Sequence, residues 1–221
     1  MSANILYTGE YINVIKPSFK ILTDIDYEDV LRKIEIIGRN SHKSENRITN
    51  LSSSDFVRMI IDWGHESVIE HVAISVRIIC DRGVSHEVVR HRHASYTQES
   101  TRYCNYSKNK FGNKITLISP FFWENEQEIH KYNLWLSACE ASAKSYFNLL
   151  EMGATPEEAR SVLPNSLKTD IIVTMNLRAW RHFFKMRANK KSHPQMRQIA
   201  VPLLKTFKNK LPVVFQDIKE E

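Results

Sequence analysis

The chain has 221 residues, 42% of them hydrophobic and 25% charged, with a formal net charge of +6. That length suits one domain with a sizeable core, that composition excludes a mainly disordered chain, and no apolar run approaches the roughly 18 residues of a membrane span. The surplus of positive charge favours anionic partners without separating nucleic acid from nucleotides or an acidic coenzyme.

Cys80, Cys104 and Cys139 are too few for a disulfide framework and lack zinc-ligand spacing, so reduced thiols are expected. The first residues, MSANILYTGEYINVIK, show no basic, apolar and small-residue regions of a signal peptide, and the expected location is the cytoplasm. With no repeat, low-complexity tract or Gly/Ser linker to mark a boundary, residues 1–221 are expected to form a single domain.

In chain order, YINVIK (11–16) alternates like a strand, and Asp26 caps a helix running to about Arg39. SSSDFVRMIIDWG predicts a second helix stopped by Gly64. Val72, Ile74, Val76 and Ile78 share one face of a half-buried strand. SHEVVRH (85–91) predicts a short helix capped by Ser85 that leads into a basic stretch, RHRHASYTQESTRY (90–103). A long helix is expected over 124–153, ending at Gly153. In TPEEARSVLP, Thr155 caps, Pro156 takes the first helical position, Glu158 completes a capping box and Pro164 limits the far end. LKTDIIVTM predicts a strand, NLRAWRHFFKMRA a helix, and PQMRQIAVPLLKTFKNK a last helix with Pro202 as a point of kinking. Helices and strands mix without regular alternation, which predicts an α+β fold with an antiparallel or mixed sheet flanked by helices.

Three constellations bear on chemistry. If the basic stretch is extended, Arg90 and Arg92 share one side and His91 and His93 the other; the hydroxyls that follow suit phosphate oxygens, although a solvated basic face is the alternative. On the helix over 176–187, Arg187 falls within roughly 20° of Asn176 and Trp180 and about 40° from Phe183, amid the aromatic stripe. An arginine there needs an acceptor, either a structural carboxylate or a bound ligand. Arg178 and His182 share a separate polar side. The third, H-E-S-V-I-E-H (65–71), is not H-E-x-x-H, because Ile69 stands where the second histidine belongs, so no metal site is expected. Cys104 lies just past the basic stretch, where an activated thiol competes with an inert, buried one.

Arg90-His91-Arg92, seven further residues, Ser100 and then Arg102 resemble the signature of the flavin-dependent thymidylate synthases. The resemblance extends in order and spacing to G-H-E-S-x-x-E-H (64–71), E-E-A-R-x-x-L-P (157–164) and N-x-R-x-x-x-H-F-x-x-x-R (176–187). It implies a homotetramer that binds FAD across subunits and makes dTMP from dUMP, with methylene-tetrahydrofolate and NADPH as co-substrates and no cysteine nucleophile. Carried onto this sequence, it makes Glu87, Arg90, Gln98, Glu99, Ser100, Thr101, Arg102, Arg160 and Arg187 candidates for dUMP, with Arg187 also catalytic. His65, Ser67, Glu70, Arg90, His91, Arg92, His93, Gln98, Asn176, Arg178 and His182 become candidates for the flavin. Glu87 stands where glutamine is frequent and Gln98 where glutamate is frequent, so an acid and an amide are exchanged.

Two other readings compete. A nucleic-acid-binding module would use the basic stretch and K-T-F-K-N-K (205–210) as phosphate contacts, but leaves the arginine on the aromatic stripe unexplained. A metal-dependent nucleotide hydrolase would lose activity to a chelator. The enzyme reading involves neither nucleic acid nor membrane.

Overall fold

The computed structural model describes residues 4–220, and these divide into two compact units. The first unit comprises the residues up to 18 with 78–90 and 97–171; the second comprises 19–77, 91–96 and the residues from 172 onward.

In the first unit, β1 (Ile5–Thr8) pairs antiparallel with β2 (Ile12–Ile15), and β2 pairs parallel with β6 (Ile115–Ile118), in register from Ile12 with Ile115 to Ile15 with Ile118. The sheet is therefore mixed. Ile12, Val14, Ile115 and Leu117 bury themselves against Cys139, Ala143, Tyr146 and Phe147 of α4 (Ile129–Glu151). This helix starts five residues later than expected, because 124–128 form turns, and Gly153 ends it at φ +93°. Helix α3 (Arg82–Val88) is capped by Asp81, whose Oδ1 accepts from the Val84 amide at 2.8 Å. Ser85 is not the cap the sequence suggested: it lies fully buried inside the helix and donates to the Arg82 carbonyl at 2.9 Å. The helix starts three residues before Ser85, and Asp81 already satisfies one of the open amides of its first turn. The expected capping box is formed, with Thr155 and Glu158 bonding reciprocally at the start of α5 (Pro156–Ala159).

A second sheet orders its four strands β3 (Ser18–Ile21), β4 (Ala73–Asp81), β7 (Lys168–Asn176) and β5 (Ala94–Gln98). The mixed α+β class holds, with two sheets where the sequence suggested one.

In the second unit, α1 (Tyr27–Asn40) starts at its expected cap, Asp26, and α2 (Ser52–Asp62) is followed by Gly64 at φ +73°. Gly38 lets the two helices approach closely, since a Cβ there would stand 2.6 Å from the Phe56 ring. Helix α6 (Leu177–Arg187) packs Trp180 and Phe184 with Phe207 of α7 (Pro194–Lys210), Phe183 lies against both α6 rings, and Phe215 of α8 (Pro212–Phe215) closes the nest. Helix α7 runs unbroken through Pro202. Among the described residues no helix is long and apolar enough to cross a membrane.

Candidate active site

The sequence-derived candidates separate into two sets, one in each unit. In the second unit, strand β7 ends at Asn176, whose Oδ1 accepts from the Ala179 amide at 2.8 Å and so starts α6. With the aromatic face turned inward, the opposite side of the helix offers Arg178, His182 and Lys185 to a cleft of about 560 Å³. Glu66 and Glu70 line it from a 3-10 turn (Glu66–His71), and Arg92 and His93 from the basic stretch. The structure thus brings together Glu70, Arg92, His93, Asn176, Arg178 and His182 as the sequence expected. His65 and Ser67 do not line this cleft; both are exposed, and the His65 ring lies edge-on 5.8 Å from that of Trp63. Arg90 and Gln98, also expected to meet the flavin, belong to the first unit.

The expected alternation along 90–93 holds only in part. His91 is buried, but Arg90, Arg92 and His93 are all exposed, because β5 does not begin until Ala94. The His91 ring lies edge-on to Phe183 and His182, and its Nε2 accepts from Nε of Arg187 at 2.9 Å. Burial first, then the charges of Arg187 and His182, lower its pKa to about 4. It is therefore a neutral imidazole, with its proton on Nδ1.

Lys185 and Glu66 are site residues that the sequence reading missed. Lys185 stands three positions after His182 and seven after Arg178, hence on the same helical side; Glu66 belongs to the H-E-S-V-I-E-H segment, from which the resemblance takes only His65, Ser67 and Glu70. Arg178 donates to Glu70 at 2.6 Å in an exposed pair. The cleft therefore sets three permanent cations, Arg92, Arg178 and Lys185, and two imidazoles against two carboxylates. Such a donor set fits FAD: guanidinium forks and an ammonium suit its diphosphate, and imidazole and guanidinium planes suit its rings.

In the first unit, the chain after β5 turns on Ser100, whose Oγ accepts from the Arg102 amide at 3.3 Å. Thr101 is buried and accepts from Nη1 of Arg160 at 3.3 Å, while Arg102 pairs with Glu157 at 2.9 Å. The box at Thr155 thus presents both Glu157 and Arg160 to the 100–103 turn. The Arg102–Glu157 pair is half exposed on both sides, so it is weak and easily exchanged for a phosphate. Ser100, Thr101, Arg102 and Arg160 form a hydroxyl and guanidinium cluster suited to a phosphomonoester. Glu99 and Gln98 are engaged otherwise. Glu99 accepts from the Tyr106 hydroxyl at 3.0 Å and from Lys168 at 2.5 Å. Gln98 donates to the hydroxyls of Ser85 and Thr169, each at 3.0 Å. Glu87 is half-buried on α3 and Arg90 exposed just beyond it.

Of the thiols, Cys104 is half-buried, whereas burial raises both Cys80 and Cys139, the latter to about 11. The last two are inert thiols at neutral pH.

Arginines, histidines and hydroxyls of this kind, on a mixed α+β fold, are the groups that suit phosphorylated, ring-bearing ligands. The sequence matches the family model described as "Thymidylate synthase complementing protein" over residues 23–213. It is 33% identical to a flavin-dependent thymidylate synthase of Mycobacterium sp. (strain KMS), covering 93% of this chain and 88% of that one. It is 37% identical to another from Geobacter sulfurreducens, over 76% and 71% of the two chains. The fold is similar to that of the UMP/dUMP methylase PolB from Streptomyces cacaoi bound with 5-Br dUMP, with a TM-score of 0.76 at 18% identity, covering 92% and 95% of the chains. The chain belongs to the flavin-dependent thymidylate synthase family.

Proposed function

We propose that this protein methylates dUMP to dTMP, with FAD as its cofactor and methylene-tetrahydrofolate and NADPH as co-substrates, residues 1–221 acting as one catalytic domain within a homotetramer. The observation that carries the reading is the convergence of Arg92, His93, Arg178, His182 and Lys185 on one cleft in a chain of this family. These side chains would hold the flavin, the arginines and lysine suiting its diphosphate and the imidazoles its rings. Ser100, Thr101, Arg102 and Arg160 take the nucleotide phosphate, with Arg102 leaving Glu157 to do so. A flavin held there, with NADPH as reductant, would supply the hydride that completes the methyl group. The methylene carbon comes from the folate, which leaves as tetrahydrofolate, and it replaces a proton on the uracil ring. Arg187 stabilises negative charge developing on that ring, and the neutral His91 aims it through the Nε2 to Nε bond.

Purified protein should carry, or take up, FAD with its visible absorbance. It should form dTMP only when dUMP, methylene-tetrahydrofolate and NADPH are all present. Colourless protein that cannot be loaded with FAD defeats the reading, and mass measurement in solution tests the tetramer.

A further inference from the structure

Arg181 is the fully buried arginine of α6, with its side chain 2% exposed, and the family signature gives it no part. A guanidinium cannot shed its charge on burial, so it must be met by acceptors. Its Nε donates to Oε1 of Glu66 at 2.8 Å. Its two terminal nitrogens meet both oxygens of Asp217 at 2.7 Å, and one of them also donates to the Val214 carbonyl. Asp217 and Val214 come from the C-terminal segment around α8, while Glu66 comes from the turn that lines the cofactor cleft.

Glu66 has other cations within reach. Its carboxylate lies 3.7 Å from Lys185 and 3.9 Å from Nε of Arg178, both too long for a hydrogen bond. Those two cations line the cleft and are needed for an anionic ligand. Released from Arg181, the carboxylate would be free to swing onto either one and compete with that ligand.

Resting on the FAD reading of the cleft, we propose that Arg181 is a positioning residue: anchored by the C-terminal segment, it holds Glu66 back and so keeps Lys185 and Arg178 available to the cofactor's diphosphate. The C-terminal segment is thereby part of the cofactor site without touching it.

The test titrates the protein with FAD by fluorescence and, separately, with inorganic pyrophosphate, which reads the cations without a flavin; a thermal melt accompanies each variant. Arg181→Lys keeps a charge but loses the fork, and should weaken FAD about tenfold, as expected for coupled neighbours. Adding Glu66→Gln removes the competing carboxylate and should bring affinity back to within about threefold of the parent, a rescue that a merely structural role would not give. Arg181→Lys binding like the parent, or a double variant no better than the single one, overturns the proposal. Should Arg181→Lys fail to fold, Glu66→Gln alone decides. A carboxylate already held back predicts a change below about threefold, whereas marked tightening or loss of FAD means that Glu66 competes or ligates in the parent. A parent that takes pyrophosphate but no FAD ends the flavin reading, and the same comparison is then made on pyrophosphate.

Discussion

His91 and Arg187 are joined by a 2.9 Å hydrogen bond in which the imidazole Nε2 accepts from the guanidinium Nε. A protonated imidazole could not accept it, so the contact and the depressed pKa of about 4 describe the same neutral ring.

A pH dependence of stability follows from this pair. The folded pKa lies below the unfolded value of 6.5, so as pH falls the unfolded chain takes up the proton first. The stability linked to His91 is fully present above about pH 6.5 and is lost as pH falls towards 4, to a limit of about 3 kcal/mol. Thermal melts between pH 7.5 and 4.5 should show this decline. His91→Gln, whose amide oxygen can still accept from Arg187 but does not titrate, should flatten it. An equally steep decline in the variant would assign the acid sensitivity to other groups.

Much of this was legible in the sequence. Periodicity and capping signals located β2, α1, α2, β4, α5, β7 and α6, and the motif spacing selected six of the residues lining the cleft. Strands β1, β3, β5 and β6 were missed, because strands of four or five residues carry too little alternation. The arginine in need of a structural carboxylate was sought at Arg187, which is half-buried, and found at Arg181. At roughly 100° from Trp180, Arg181 lies at the edge of the aromatic face. It is enclosed by Val214 and Asp217, over thirty residues away in the chain, and local periodicity cannot register that cover.

Gly38→Ala should destabilise the protein by about 1 to 3 kcal/mol, the usual cost of forcing atoms into a packed helix contact. The added methyl would stand 2.6 Å from the Phe56 ring and 3.1 Å from Val68. Adding Phe56→Leu should recover part of the loss in denaturant melts. Unchanged stability in Gly38→Ala would show that α1 and α2 have slack.

Glu99 was placed by resemblance among the nucleotide ligands, but both its oxygens serve Tyr106 and Lys168, in a pair whose side chains are 12% and 22% exposed. Glu99→Gln strands the lysine, so it should cost about 2 kcal/mol of stability. Its effect on dUMP affinity should be small by comparison. A variant that melts like the parent yet loses tenfold or more in dUMP affinity would restore Glu99 to the ligand set.

Arg187→Lys separates charge from shape at the proposed catalytic position. The Lys side chain keeps a positive charge at the end of α6 but lacks the Nε through which His91 aims the guanidinium. Because His91 is neutral, its loss of that donor costs one hydrogen bond rather than an ion pair, about 1 kcal/mol for that contact. Flavin affinity should stay near that of the parent, since the proposed flavin contacts lie at Arg92, Arg178 and Lys185. Transition-state stabilisation at the uracil ring should fall by roughly 3 to 4 kcal/mol, or several hundredfold in rate, the magnitude of one well-placed donor. Single-turnover oxidation of reduced flavin in the presence of dUMP and methylene-tetrahydrofolate reads this directly, beside a melt and a flavin titration. Turnover at the parental rate would remove Arg187 from catalysis. Failure to fold would show instead that Arg187 serves the fold.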